Sequence, residues 1–157
     1  MKIYYSTGDV SDGDIPDICE KEYHRLIEFC FSHCEKFALY FPVSILKDVS
    51  LVPIAPIERR VNPLIDPSYA RFVEKSYLYF FPCTPESKRY LLDTVDSLFQ
   101  WCTWTDHNPE DLEFYRADGS LFFWSIGHEG ACGFELQEGE DASAITSNSG
   151  WTCISEE

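Results

Sequence analysis

Residues 111–136 read DLEFYRADGSLFFWSIGHEGACGFEL. Three apolar and aromatic runs, LEFYR, SLFFWSI and ACGFEL, are separated by ADG and GHEG. Short runs rich in Phe, Tyr and Trp, punctuated by glycine at hairpin spacing, predict an antiparallel three-stranded meander. In GHEG, Gly127 and Gly130 are expected to supply positive φ around a two-residue tip, His128-Glu129. The same 26 residues hold five carboxylates and a single arginine, Arg116.

Upstream lies TPESKRYLLDTVDSLFQWC, residues 84–102. Thr84 reads as an N-cap, Pro85 suits the first helical position, and Glu86 sits near the positive end of the dipole. Tyr90, Leu91, Val95, Leu98 and Cys102 form its apolar stripe, so a helix over the whole stretch is predicted. SYLYFFP (76–82) before it is a buried strand. At the start of the chain KIYYS (2–6) is a strand, and Asp14 and Pro16 predict the start of a helix that runs to about Glu35. Asp17 adds negative charge near that helix's N-terminus. Cys19, Tyr23, Leu26, Ile27, Cys30 and Cys34 recur along it at helical spacing. KFALYFP (36–42) is the next strand, and strand, helix, strand in so short a span predicts a right-handed parallel crossover. Residues 43–70 carry Pro53, Pro56, Pro63 and Pro67, which break regular elements. That stretch holds one extended edge piece and serves as a crossover or, with Arg59 and Arg60, as a lid. SYARFVEK (68–75) suits a short helix, and WTCIS adds a last strand. The expected fold is a single α+β domain over residues 1–157. Its mixed β-sheet has five to seven strands, including the C-terminal antiparallel meander, and is packed by two long helices.

The chain has 27 acidic and 12 basic residues, a net charge of −15. Residues 106–157 hold twelve of the acids and one base, Arg116. Such a field repels nucleic acid and anionic membrane surfaces and attracts basic proteins or cations. Aromatics make up 16% of the chain, more than a core of this size readily takes, so some are expected at a binding face. Seven cysteines, an odd number, and an opening MKIYYSTGD without a long apolar run point to free thiols in the cytoplasm.

The chemical constellations are sparse. His128, Glu129 and Cys132 fall within five residues and could serve a thiol- or metal-assisted hydrolase. The glycines around His128-Glu129 instead suggest an exposed tip. Cys30, His33 and Cys34 share a helix face but lack the paired C-x-x-C of structural zinc sites, so no metal and no cofactor is assigned. Asp9, Asp12, Asp14 and Asp17 lack the order of a calcium loop. Phosphate-loop, dinucleotide, zinc-protease and nucleophile-elbow motifs are all missing from the sequence. Glu110, Asp111 and Glu113 could be a carboxylate pair for acid–base work or a solvated loop.

What remains is a C-terminal third in which tryptophans stand among carboxylates. Ring anchors ringed by acids suit a face for a basic protein, with Trp104, Asp106, Glu110, Asp111, Glu113, Asp118, Trp124 and Glu129 as its candidate residues. In size, acidity and lack of catalytic motifs the chain resembles bacterial immunity proteins of polymorphic and contact-dependent toxin systems. That resemblance implies a small cytoplasmic inhibitor, with no catalytic residues, that occludes a basic toxin domain such as a nuclease.

Overall fold

The meander is the centre of the architecture. In the computed structural model β5 (Glu110–Tyr115), β6 (Leu121–Ile126) and β7 (Ala131–Glu135) pair in sequence order, all antiparallel. The structure describes residues 1–7, 16–61, 76–147 and 150–154. On one side the sheet grows through β2 (Lys36–Pro42), β4 (Ser76–Pro82) and β3 (Glu58–Val61). On the other it grows through β1 (Lys2–Ser6) and β8 (Trp151–Ile154). The order is β3-β4-β2-β5-β6-β7-β1-β8, and every ladder is antiparallel.

Strand alternation puts one phenylalanine on each of five neighbouring strands in a single transverse row. Phe81 pairs with Phe37, Phe37 with Phe114, Phe114 with Phe123, and Phe123 with Phe134. All five are fully buried, with ring centroids 5.0 to 6.3 Å apart along the row. Each burial is worth about 1.5–3 kcal/mol before packing geometry is counted. Helix α1 (Lys21–His33) lies on this face, because Tyr23, Leu26, Ile27 and Cys30 share one side of it and are all buried. Its Phe29 and Phe31 reach Phe134 and Phe114 edge-on. Helix α2 (Pro85–Thr94) docks beside α1: the Tyr23 hydroxyl donates to the Leu91 carbonyl at 2.6 Å, and Lys88 meets Glu28 at 3.0 Å. Thr84 caps α2 reciprocally with Ser87, so the start of that helix matches its sequence signature.

The opposite face carries a smaller cluster made of strand residues alone: Ala38, Leu78 and Phe80, with Tyr40 and Tyr115 against them. Lys36 and Arg60 both lie over the Phe80 ring, at 5.1 and 4.6 Å, and both pair with Glu58.

Both helices differ from their sequence-based bounds for one reason. Residues 18–20 and 96–98 pair as a short antiparallel bridge: Leu98 N–H donates to Ile18 O, Glu20 N–H to Asp96 O, and Cys19 faces Ser97. The bridge takes the expected first turn of α1, which begins at Lys21 after Glu20 at φ 51°. It also ends α2 at Thr94, with Val95 extended. Pro16 therefore precedes α1 instead of opening it, and Asp14 lies outside the described residues. Two further expectations are corrected. The sheet has eight strands and is antiparallel throughout rather than mixed. β1 and β2 do run parallel, but β5, β6 and β7 stand between them, since the meander supplies β1's hydrogen-bonding partner instead. The proline-rich stretch contributes a 3-10 segment (Val43–Leu51) and the edge strand β3; the helix expected over 68–75 lies outside the described residues. Among the described residues, no helix is long and apolar enough to cross a membrane.

Candidate functional site: the acidic end of the sheet

After the bridge the chain makes a 3-10 turn (Leu98–Gln100) and buries Trp101 completely, its indole N–H donating to the Tyr23 hydroxyl at 3.2 Å. The helix expected over 84–102 would have carried Trp101 near its end; it caps the 3-10 turn instead. The short helix α3 (Thr103–Asp106) follows, held at its start by Glu110 and Asn108. Thr103 N–H donates to Glu110 Oε1 at 3.3 Å, and the Thr103 hydroxyl to Asn108 O at 2.7 Å. Anchored this way, α3 throws Trp104 outward, where its side chain is 86% exposed. Asp106 is exposed one turn-end away, and His107 closes the helix in the left-handed region at φ 56°.

β5 begins with a distortion. Its register against β2 shifts between Ala38 and Tyr40, and Asp111 takes φ 59°, a left-handed value that costs a non-glycine residue energy unless the surroundings enforce it. Here they do. Asp111 N–H donates to Trp101 O at 3.3 Å, and Asp111 Oδ1 accepts the Gly127 N–H at 2.9 Å. Burial pushes the Asp111 carboxyl up to about 6; the Gly127 bond opposes this, Glu110 and Glu113 add to it, and His128 lowers it.

The β6–β7 connection is a 3-10 turn (Gly127–Glu129) closed by Gly130 at φ 60°. Only the second of the two glycines expected at positive φ adopts it. Gly127 is required for space: a Cβ there would lie 2.4 Å from Trp101 O. The turn leaves His128 and Glu129 exposed, 3.7 Å apart.

Five of the eight candidate residues therefore gather around one end of the sheet: Trp104, Asp106, Glu110, Asp111 and Glu129. The other three do not join them. Glu113 faces the opposite side, beside Ala38, and its carboxylate already accepts the Tyr40 and Tyr115 hydroxyls. Burial raises its pKa, and those two bonds lower it. Trp124 is half-buried over Gly133, where a Cβ would meet the indole at 2.8 Å. Asp118 lies in the β5–β6 hairpin, capping Ser120 N–H at 2.8 Å. Six strand residues at about 3.3 Å each separate it from Glu110 by roughly 20 Å.

Cys132 is fully buried in the helix-side core, and burial drives its thiol pKa well up, while His128 and Glu129 stand in solvent. A nucleophile, base and orienter are not assembled there. Among the described residues no three His, Cys, Asp or Glu side chains are gathered as a metal ion would need.

Arg116, the single base of residues 106–157, is also committed. It forks onto Glu140, with Nε 2.9 Å from Oε2, and donates to Leu121 O at 2.7 Å, its side chain 10% exposed. Sequence reasoning missed one carboxylate near this end. Asp17, read as a helix-dipole charge, is held by the Phe99 N–H at 3.3 Å, and the charge of Asp106 helps burial to raise its pKa. Its pairing across 82 positions leaves no local pattern to find. No protein-family model, curated protein or solved structure matches the chain.

Proposed function

We propose that this chain is a small acidic binding protein that neutralises a basic partner, as an immunity protein blocks a toxin nuclease domain in the cytoplasm. The observation that carries the reading is Trp104, a large ring 86% exposed on a four-residue helix beside Asp106 and Glu110. An aromatic side chain held out on a fixed stalk gains most of its burial only when a partner covers it. The acids around it steer a cationic partner and pair with its Lys and Arg side chains. Among the described residues no lysine or arginine pairs with Asp106, Glu110 or Asp111, and Arg116 is spent on Glu140. All seven cysteines are free, which suits a reducing compartment.

The test is capture from the source cell's lysate at low salt, with the wild-type protein and with Trp104→Ala combined with Asp106→Lys and Glu129→Lys. A basic protein that binds the wild type, is released by rising salt, is lost with the triple variant and has its own toxic activity suppressed supports the reading. Absence of such a partner, or one retained equally by the triple variant, overturns it.

A further inference from the structure

A cleft of about 230 Å³ opens between the start of α1, strands β1 and β8, and helix α4 (Ser143–Thr146), lined by Tyr5, Asp17, Ile18, Glu22, Ile145 and Trp151. Its walls are apolar. Ile18, Ile145 and Tyr5 are almost wholly buried, and Trp151 packs on Tyr5 at a centroid distance of 5.3 Å. Its charged lining residues are Asp17 and Glu22; Glu22 pairs with Arg25 at 3.6 Å, and Arg25 also donates to Ala144 O on α4 at 3.0 Å. The Asp17 carboxylate accepts the Phe99 N–H at 3.3 Å, and the nearby Ser97 side chain and Ile18 N–H, both neutral, also favour its charged form. Among the described residues no lysine or arginine pairs with it. A half-buried carboxylate that keeps its charge without a counter-ion is costly, and an incoming cation removes that cost.

We propose that this cleft binds an alkyl chain ended by a single ammonium or guanidinium group, with the cation at Asp17 and the stem against Ile18, Ile145 and Trp151. The chemistry is that of a lysine or arginine side chain, which buries its methylenes while its head stays polar, and which an aromatic face and a carboxylate attract together. Asp106 raises the pKa of Asp17, so the cleft shares the field of the acidic end. The inference extends the proposed function by giving the basic partner a specific side-chain socket, and a free alkylamine is the other source of the same chemistry.

The test follows the Trp151 indole and the Ile18 and Ile145 methyl signals of labelled protein by NMR. The probes are acetyl-Gly-Lys-Gly-amide, acetyl-Gly-Arg-Gly-amide, n-butylammonium and the neutral acetyl-Gly-norleucine-Gly-amide. Saturable shifts with the three cations, and at least about tenfold weaker binding to Asp17→Asn, uphold the site. Tighter binding of the peptides assigns the source to a partner's side chain; tighter binding of n-butylammonium assigns it to a free amine. If Asp17→Asn loses its folded spectrum, Ile145→Trp fills the cleft with Asp17 intact and must abolish the shifts. Equal binding of the norleucine peptide, no saturable shift with any cation, or unaltered binding to a folded Asp17→Asn or to Ile145→Trp overturns the proposal. The capture experiment above reads Trp104 and Asp106, so either idea can fail while the other stands.

Discussion

Asp111 Oδ1 holds the backbone N–H of Gly127 at 2.9 Å, across the start of β5 and the end of β6. The bond joins three segments, because Trp101 O accepts the Asp111 N–H and also occupies the space over Gly127. The same junction sets where α3 leaves the sheet, and so where Trp104 points.

Gly127→Ala puts a methyl 2.4 Å from a backbone oxygen that is itself tied to Asp111. Neither side can yield without breaking the junction, so a loss of about 2–3 kcal/mol is expected. Gly119→Ala is the control: it too has positive φ, at 86°, but nothing lies within 4 Å of its Cβ position. It should cost only the conformational strain, about 1–2 kcal/mol. Urea unfolding of both variants compares them directly, and a Gly127→Ala protein as stable as wild type would remove the close approach from the account.

Asp111 makes stability fall as pH rises. Its carboxyl is held at about 6 in the folded protein against an ordinary value of 3.8. Between those values the folded state binds more protons than the unfolded state. Its contribution is therefore fully present below about pH 4 and is lost as pH rises through 6. Asn keeps an oxygen for Gly127 N–H, tolerates the left-handed backbone and carries no charge. Asp111→Asn should leave stability near pH 4 almost unchanged and raise it at pH 7 by roughly 3 kcal/mol. The readout is the difference between wild-type and variant unfolding free energies from pH 4 to 7.5; a difference that does not change with pH would show that the buried charge is not the cause.

Trp101 and Trp104 are three residues apart and should behave oppositely. Trp101→Ala empties a fully buried site and removes the indole N–H from the Tyr23 hydroxyl, which keeps its bond to Leu91 O, at a cost of about 3–5 kcal/mol. Trp104→Ala removes an exposed ring and should change stability by less than about 0.5 kcal/mol. Its effect should fall on partner binding, where a central aromatic anchor is worth about 2 kcal/mol or more. A large stability loss with Trp104→Ala would mean that the ring supports the fold instead.

That pair also marks how far the sequence could be read. The meander was legible because alternation and glycine spacing are local, and so was the capped start of α2 at Thr84-Pro85. The bridge between residues 18–20 and 96–98 was not, since nothing in either segment reports a partner nearly 80 positions away. It alone moved the start of α1 and the end of α2, and it took Trp101 out of the helix. At the candidate site, acidity and aromatic content singled out eight residues, of which five share one end of the sheet. They could not separate Glu113, which receives two tyrosine hydroxyls on the other face, from Asp106, which faces solvent. Asp111 was named, but its left-handed backbone follows from a bulge that only the β2–β5 register reveals.

Arg116 lends the fold a stability that depends on acid in the opposite sense to Asp111. Its guanidinium holds the Glu140 carboxyl below the usual carboxylate range, while also donating to the carbonyls of Leu121 and Glu135. A depressed carboxyl contributes stability that is present above its unfolded value, near 4.5, and lost as pH falls through its folded value. Arg116→Met removes the charge, keeps part of the stem over Phe122, and takes the guanidinium donor from two carbonyls and from Glu140, which retains only the Gln137 N–H. The expected cost at pH 7 is about 3 kcal/mol. Adding Glu140→Met to Arg116→Met should recover much of it, because the uncompensated carboxylate is then gone. Guanidinium is unsuitable as denaturant, since it competes for the same carboxylate, so urea melts at pH 7 and pH 3.5 make the comparison. If the double variant is no more stable than Arg116→Met alone, the pair is acting through the two carbonyls and not through its charges.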